Sequence, residues 1–150
     1  MKDEGQQRRR GSREEAAFVD LLRTTDMLSR GPGRAIKAAD LTSNQYNVLR
    51  ILRGAPEGLA CGEVAERMLT RDPDITRLLD RMEKRGLITR SREEKDRRTV
   101  VTRITAEGLK LLGKLDEPVQ EAHRKQLGHL GRERLRALAG LLAACREKVE

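Results

Sequence analysis

The stretch that most limits what this chain can fold into runs from Asp72 to Thr105: DPDITRLLDRMEKRGLITRSREEKDRRTVVTRIT. Ile75, Leu78, Leu79 and Met82 stand at i, i+3, i+4 and i+7, the spacing of one apolar stripe along a helix. Arg77, Arg81, Lys84 and Arg85 fall off that stripe, so the helix is expected to pack on one side and to be basic elsewhere. Asp72 and Pro73 predict its start, an oxygen-bearing cap followed by proline at the first helical position. Gly86 predicts its stop. Leu87-Ile88-Thr89 and Thr99-Val100-Val101-Thr102 are β-type runs, and Arg90 to Arg98 between them holds no apolar residue. The expectation is a two-stranded hairpin with a long, exposed, basic tip. A basic-sided helix followed by such a hairpin is the outline of a winged helix that binds DNA.

The flanking sequence supplies the rest of that outline. Residues 1–12 are polar and form an expected mobile basic arm, and through Arg13 the count is five basic against two acidic residues. A first helix is predicted from Ser12 or Arg13 to Ser29, ended by Gly31-Pro32-Gly33. A second opens at Leu41 to Gln45, capped by Thr42 or Ser43, with Tyr46, Leu49 and Leu52 inward. Leu59-Ala60-Cys61 is expected to be a short strand beside the hairpin. Gly62 to Met68 then forms a positioning helix that buries Val64, Ala65 and Met68. Together with the helix after Asp72 it makes a helix-turn-helix. Thr105 caps a long helix carrying Leu109, Leu112, Leu115 and Val119 in phase, and a last helix carries Leu135, Leu138, Leu142 and Cys145. The segments 13–40 and 106–150 are strongly apolar yet lie outside the small lobe 41–105. They are expected to bury each other across a twofold axis as dimerisation helices, all within one structural domain.

Composition agrees with a mainly α fold carrying a small β-hairpin wing. Hydrophobic and charged residues each make up 37%, with one Phe, one Tyr and no Trp, which suits packed helices better than a β-sandwich. The net charge of +8 points to a polyanionic partner. No apolar run approaches the roughly 18 residues of a membrane span, and the N-terminus lacks an apolar signal core, so a cytoplasmic protein with no membrane partner is expected. Cys61 and Cys145 show no CxxC or Cys/His clustering, so no metal, cofactor or disulfide framework is indicated.

The ordered series Leu41-Thr42, Gln45, Val48-Leu49, Glu63-Val64-Ala65, Ile75 through Ile88, Asp96-Arg97-Arg98 and Ile104-Thr105 with Gly108 resembles the MarR family of bacterial transcription regulators. The likeness covers roughly Glu14 to Arg146 and is densest between Leu41 and Leu109. It implies a homodimeric winged helix on a pseudo-palindromic duplex operator. Such a regulator is usually a repressor released by a small molecule or by oxidation, and it would be nucleoid-associated when bound.

The reading helix must place its N-terminal half in a major groove, where each base pair displays its own donor and acceptor pattern. The residues expected there are Thr70, Arg71, Asp74, Thr76 and Arg77, with Arg81 one turn further on. Arg71 or Arg77 is suited to a bidentate contact with guanine, and Thr76 to a phosphate or a thymine methyl. Asp74 suits a cytosine amine, whereas Asp72 reads better as a cap. In the wing, the resemblance implies that Arg98 enters the minor groove while Asp96 braces an arginine. Arg90, Arg92, Lys95 and Arg97 are placed for phosphates. From Arg71 to Arg103 eleven basic and seven acidic residues leave +4, adequate for DNA when doubled in a dimer. The resemblance also implies an effector pocket between the dimerisation helices and the lobe, with Phe18, Leu21, Met27, Tyr46, Leu49 and Leu115 as candidate linings.

Two other function classes fit parts of this sequence less well. A winged helix used as a protein-interaction module or antirepressor need keep neither a basic reading helix nor a DRR wing. An enzyme is disfavoured because the two histidines, His123 and His129, come without a nucleophile motif or a paired-carboxylate pocket.

Overall fold

In the computed structural model, which describes residues 11–93 and 95–147, the described residues form six α-helices and a three-stranded sheet. The helices are α1 (Arg13–Ala38), α2 (Ser43–Arg53), α3 (Cys61–Arg67), α4 (Ile75–Lys84), α5 (Ala106–Leu127) and α6 (Gly131–Arg146), and a 3-10 turn (Gly128–Leu130) joins the last two. The strands are β1 (Leu59–Ala60), β2 (Ile88–Arg92) and β3 (Val100–Ile104), in the antiparallel order β1-β3-β2. Leu59 pairs with Thr102, and β2 runs against β3 from Ile88↔Ile104 to Arg92↔Val100. Of the basic arm, residues 1–10 lie outside the described residues.

One core joins the lobe to the long helices. Val48, Leu49 and Leu52 of α2, Val64 of α3, Leu79 and Met82 of α4, Ile88 of β2, and Leu112 and Val119 of α5 are buried. Each such side chain contributes about 1.5–3 kcal/mol through the water it sheds. The α4 stripe forms as its spacing predicts, with Leu78, Leu79 and Met82 buried and Ile75 packed at the edge. Two expectations fail at this level: Ala65 and Leu109 are exposed, lying on the solvent side of α3 and α5.

Local signals explain most element ends. Thr42 and Gln45 form a reciprocal capping box at α2, which selects Thr42 as the cap. Gly86, at φ +75°, closes α4. Its N–H donates to the Glu83 carbonyl at 2.9 Å and the Leu87 N–H to the Met82 carbonyl at 3.1 Å. Gly108 is needed for a different reason: a Cβ there would sit 2.4 Å from the Leu87 carbonyl oxygen, so only glycine lets α5 start against the α4–β2 turn.

The third helix runs Cys61–Arg67, so Cys61 opens it instead of ending the strand, and two further helix boundaries differ more from the sequence reading. The first helix does not end at Gly31-Pro32-Gly33 but continues to Ala38. Proline fixes φ at a helical value and forfeits only one hydrogen bond, and the turn beyond it is held by Ile36 in the core. The true end is at Asp40, φ 58°, where the Leu41 N–H reaches back to the Ile36 carbonyl. In α4 the cap is Asp74 rather than Asp72, because the Asp74 carboxylate accepts the Arg77 N–H at 3.1 Å. Pro73 therefore precedes the helix instead of starting it.

The outer helices leave large apolar areas uncovered within one chain. α6 contains no buried residue, and Leu141 is 67% exposed. On α1, Phe18 is 60% exposed, Met27 59% and Leu22 56%, and the single buried residue of that helix is Ile36.

Candidate nucleic-acid interface

The reading helix and the wing form one surface because α4 runs directly into β2. Arg90 ties them together. Its guanidinium pairs with Asp80 and with Glu83 of α4, the latter at 3.1 Å, and its backbone N–H donates to Glu83 Oε2 at 3.0 Å. The Glu83 and Asp80 carboxylates raise the Arg90 pKa above its ordinary value, and Arg90 in turn holds Glu83 below the usual carboxylate range. The sequence reading set Arg90 among phosphate contacts. The structure instead turns it inward, as the brace between helix and wing, because it pairs on β3 with buried Thr102 and meets two carboxylates one helical turn apart.

At the start of α4 the acidic residues are occupied. Asp72 accepts the Asp74 N–H at 2.9 Å and the Asn44 side-chain amide at 2.8 Å, and Asp74 caps the helix. Their charge is thereby directed at backbone and amide donors, which removes much of the conflict with a polyanion. Thr70, Arg71, Thr76, Arg77 and Arg81 are exposed. Arg77 and Arg81, one turn apart, line with Asp74 a groove of about 390 Å³ between the start of α2 and α4.

The wing differs in extent and in bracing from the expectation. Its strands reach Arg92 and begin again at Val100, so the loop is shorter than the apolar-free run suggested, since polar residues pair as well as apolar ones on an exposed edge. Asp96 braces the loop itself rather than a guanidinium: its carboxylate accepts the Arg98 backbone N–H at 3.0 Å and the Thr99 hydroxyl at 3.2 Å. Arg92 donates to the Arg97 carbonyl at 2.5 Å, which closes the loop from the other side. Lys95, Arg97 and Arg98 are exposed, and none of them is in an ion pair among the described residues.

The six candidate pocket residues are not brought together. Phe18, Leu21 and Met27 are exposed on the outer part of α1, whereas Leu49 and Leu115 are filled core. Of the six, Tyr46 lines a groove of about 490 Å³ between the end of α1, α2, the end of α3 and the second half of α5. Ile36, Ile51 and Val119 form its apolar wall, and Tyr46, Arg50, Arg67 and His123 add polar groups, with no carboxylate in the lining. Arg50, Arg67 and His123 escaped the sequence reading because their meeting depends on how α2, α3 and α5 cross. Asn44 and Asn47 were missed as well, although two asparagines at i, i+3 on a helix are a visible polar mark.

Comparison with known proteins follows the same lines. A family model described as the MarR family matches residues 39–99. The HTH-type transcriptional regulator FarR of Neisseria gonorrhoeae is 34% identical over 109 residues, 72% of this chain and 73% of its own length. Among solved structures, the transcriptional repressor CouR bound to a 23-mer DNA duplex superposes with a TM-score of 0.79 at 27% identity, over 89% of this chain and 94% of that one. NadR in complex with 4-hydroxyphenylacetate gives a TM-score of 0.75 at 28% identity, over 93% of this chain and 99% of that one.

Proposed function

Since the chain belongs to the MarR family of DNA-binding transcriptional regulators, we propose that it acts as a homodimeric repressor reading a pseudo-palindromic operator. One observation carries this reading. Asp72, Asp74, Asp80, Glu83 and Asp96 are engaged in internal bonds, while Arg71, Arg77, Arg81, Lys95, Arg97 and Arg98 face solvent. In this proposal Thr70, Arg71, Thr76, Arg77 and Arg81 meet the major groove, and Arg98 enters the minor groove. Asp74 offers its second oxygen to a base amine. Lys95, Arg97 and Arg92 meet phosphates, whereas Arg90 and Asp96 hold the wing in place. The uncovered apolar faces of α1 and α6 support assigning 13–40 and 106–150 to dimerisation, because a monomer would leave them in water. Repression is supported by the relative CouR, which is described as a repressor. No helix among the described residues is long and apolar enough to cross a membrane, and a site of action on the nucleoid is part of the same proposal.

The same reading places effector release at the groove beside Tyr46. Its lining of apolar side chains, two arginines and a histidine without a carboxylate suits a small organic anion with an apolar body, and NadR binds one such molecule. The test of the whole reading is selection from a pool of genomic fragments. The chain is expected to retain an inverted repeat with half-site centres about 10 bp apart. Retention of fragments without a shared sequence would overturn sequence-specific regulation.

A further inference from the structure

The connector from Met68 to Asp74 delivers the reading helix to its place, yet none of its residues is buried. Leu69, its one large apolar residue besides Met68, is 86% exposed. Met68 packs against the core, but core packing does not fix the stretch from Leu69 to Asp74. Hydrogen bonds from two asparagines of α2 do. Asn47 Oδ1 accepts the Leu69 N–H at 2.8 Å. One turn earlier, Asn44 Oδ1 accepts the Thr70 hydroxyl at 3.1 Å, and Asn44 Nδ2 donates to Asp72 Oδ2 at 2.8 Å. Asp72 Oδ1 then takes the Asp74 N–H, and Asp74 caps α4. The sequence of bonds is continuous from α2 to the first turn of the reading helix.

Asparagine suits both positions for a chemical reason. Asn44 faces a hydroxyl donor at one end and a carboxylate at the other, so an amide with one acceptor and one donor satisfies both, in one orientation. A carboxylate there would repel Asp72, and an apolar side chain would leave Asp72 with one partner fewer. Both asparagines are half-buried, and of their bonds the one from Asn44 to Asp72 is partly shielded from water.

We propose that Asn44 and Asn47 are positioning residues for DNA recognition, which set where Thr70, Arg71 and the α4 N-terminus meet the major groove. This inference rests on the reading of α4 as the DNA-reading helix. It predicts that they control discrimination between sequences without supplying a base contact. Asn47 also lines the groove beside Tyr46, so the residue that holds Leu69 is in reach of whatever fills that groove.

A double-mutant cycle tests it, read as the ratio of affinities for the preferred duplex and a scrambled one. The ratio matters because Asp72→Ala also removes a negative charge near phosphates and shifts all DNA affinities together. Asn44→Ala and Asp72→Ala are each expected to lower the ratio about ten-fold, and the double variant no further than the worse single. Asn47→Ala is expected to lower the ratio as well, while Asn47→Asp, which keeps an acceptor for the Leu69 N–H, retains most of it. Should Asn44→Ala fail to fold, the Asn47 pair decides alone. Additive losses in the cycle, or Asn47→Asp failing like Asn47→Ala, would overturn the positioning role. A preferred duplex with an unchanged ratio in Asn44→Ala overturns it while sparing the reading of α4. An unmodified chain that prefers no duplex overturns both.

Discussion

A chain ending at Leu130, without α6, is expected to bind its operator about 10²–10⁴-fold more weakly than the full chain. That factor is what a second, tethered half-site contact contributes through effective concentration. Nothing in the reading surface is removed by the cut. Arg71, Arg77 and Arg98 lie in the lobe, and the core of Leu49, Leu79, Met82 and Leu112 contains no α6 residue. The lobe should thus keep its helicity and its unfolding transition. What disappears is the apolar α6 face that the proposed dimer buries. Fluorescence anisotropy on the selected duplex, with circular dichroism as the folding control, measures the two effects separately. Full operator affinity in the shortened chain would remove α6 from dimerisation.

Arg98→Ala is expected to weaken operator binding at least about ten-fold, with the melting temperature unchanged. The residue is exposed, and its backbone N–H, not its side chain, is what Asp96 holds, so truncation leaves the wing turn intact. Its guanidinium is thereby free to enter a narrow minor groove, where the negative potential is strongest and one arginine is an effective reader of shape. Two wings in the proposed dimer double the effect. Affinity measured against salt gives a second readout: the slope should fall by about one for each phosphate-neutralising charge lost. Equal affinity for the variant and the parent chain would take the wing out of the interface.

Legibility varied with the range of the interactions. The α4 stripe, Gly86 and the Thr105 cap are decided within a turn or two of chain and are readable from spacing, whereas the choice of Thr42 over Ser43 as the α2 cap needed the Gln45 side chain in place. The end of α1 was not readable, because continuation through Pro32 depends on Ile36 finding the core far along the chain. Asp72 and Asp74 are both acceptable caps by type. The choice between them rests on Asn44, 28 residues earlier, engaging Asp72. Arg90 has the same lesson for the site: a basic residue in a basic hairpin reads as a phosphate contact until the register of β2 brings it over Asp80 and Glu83. The groove proposed for an effector was the least legible part. It is assembled from four helices, so no window of sequence contains it, and of the expected residues only Tyr46 lines it.

In the proposed complex two copies of this surface act together on one operator. The most direct measurement is sedimentation equilibrium of the full chain, alone and on the selected duplex. A free species of twice the 17.0 kDa chain is expected, and a complex of two chains per duplex, with a half-site duplex bound far more weakly. A monomer in solution that binds one chain per duplex, at the same affinity for full and half sites, would contradict it.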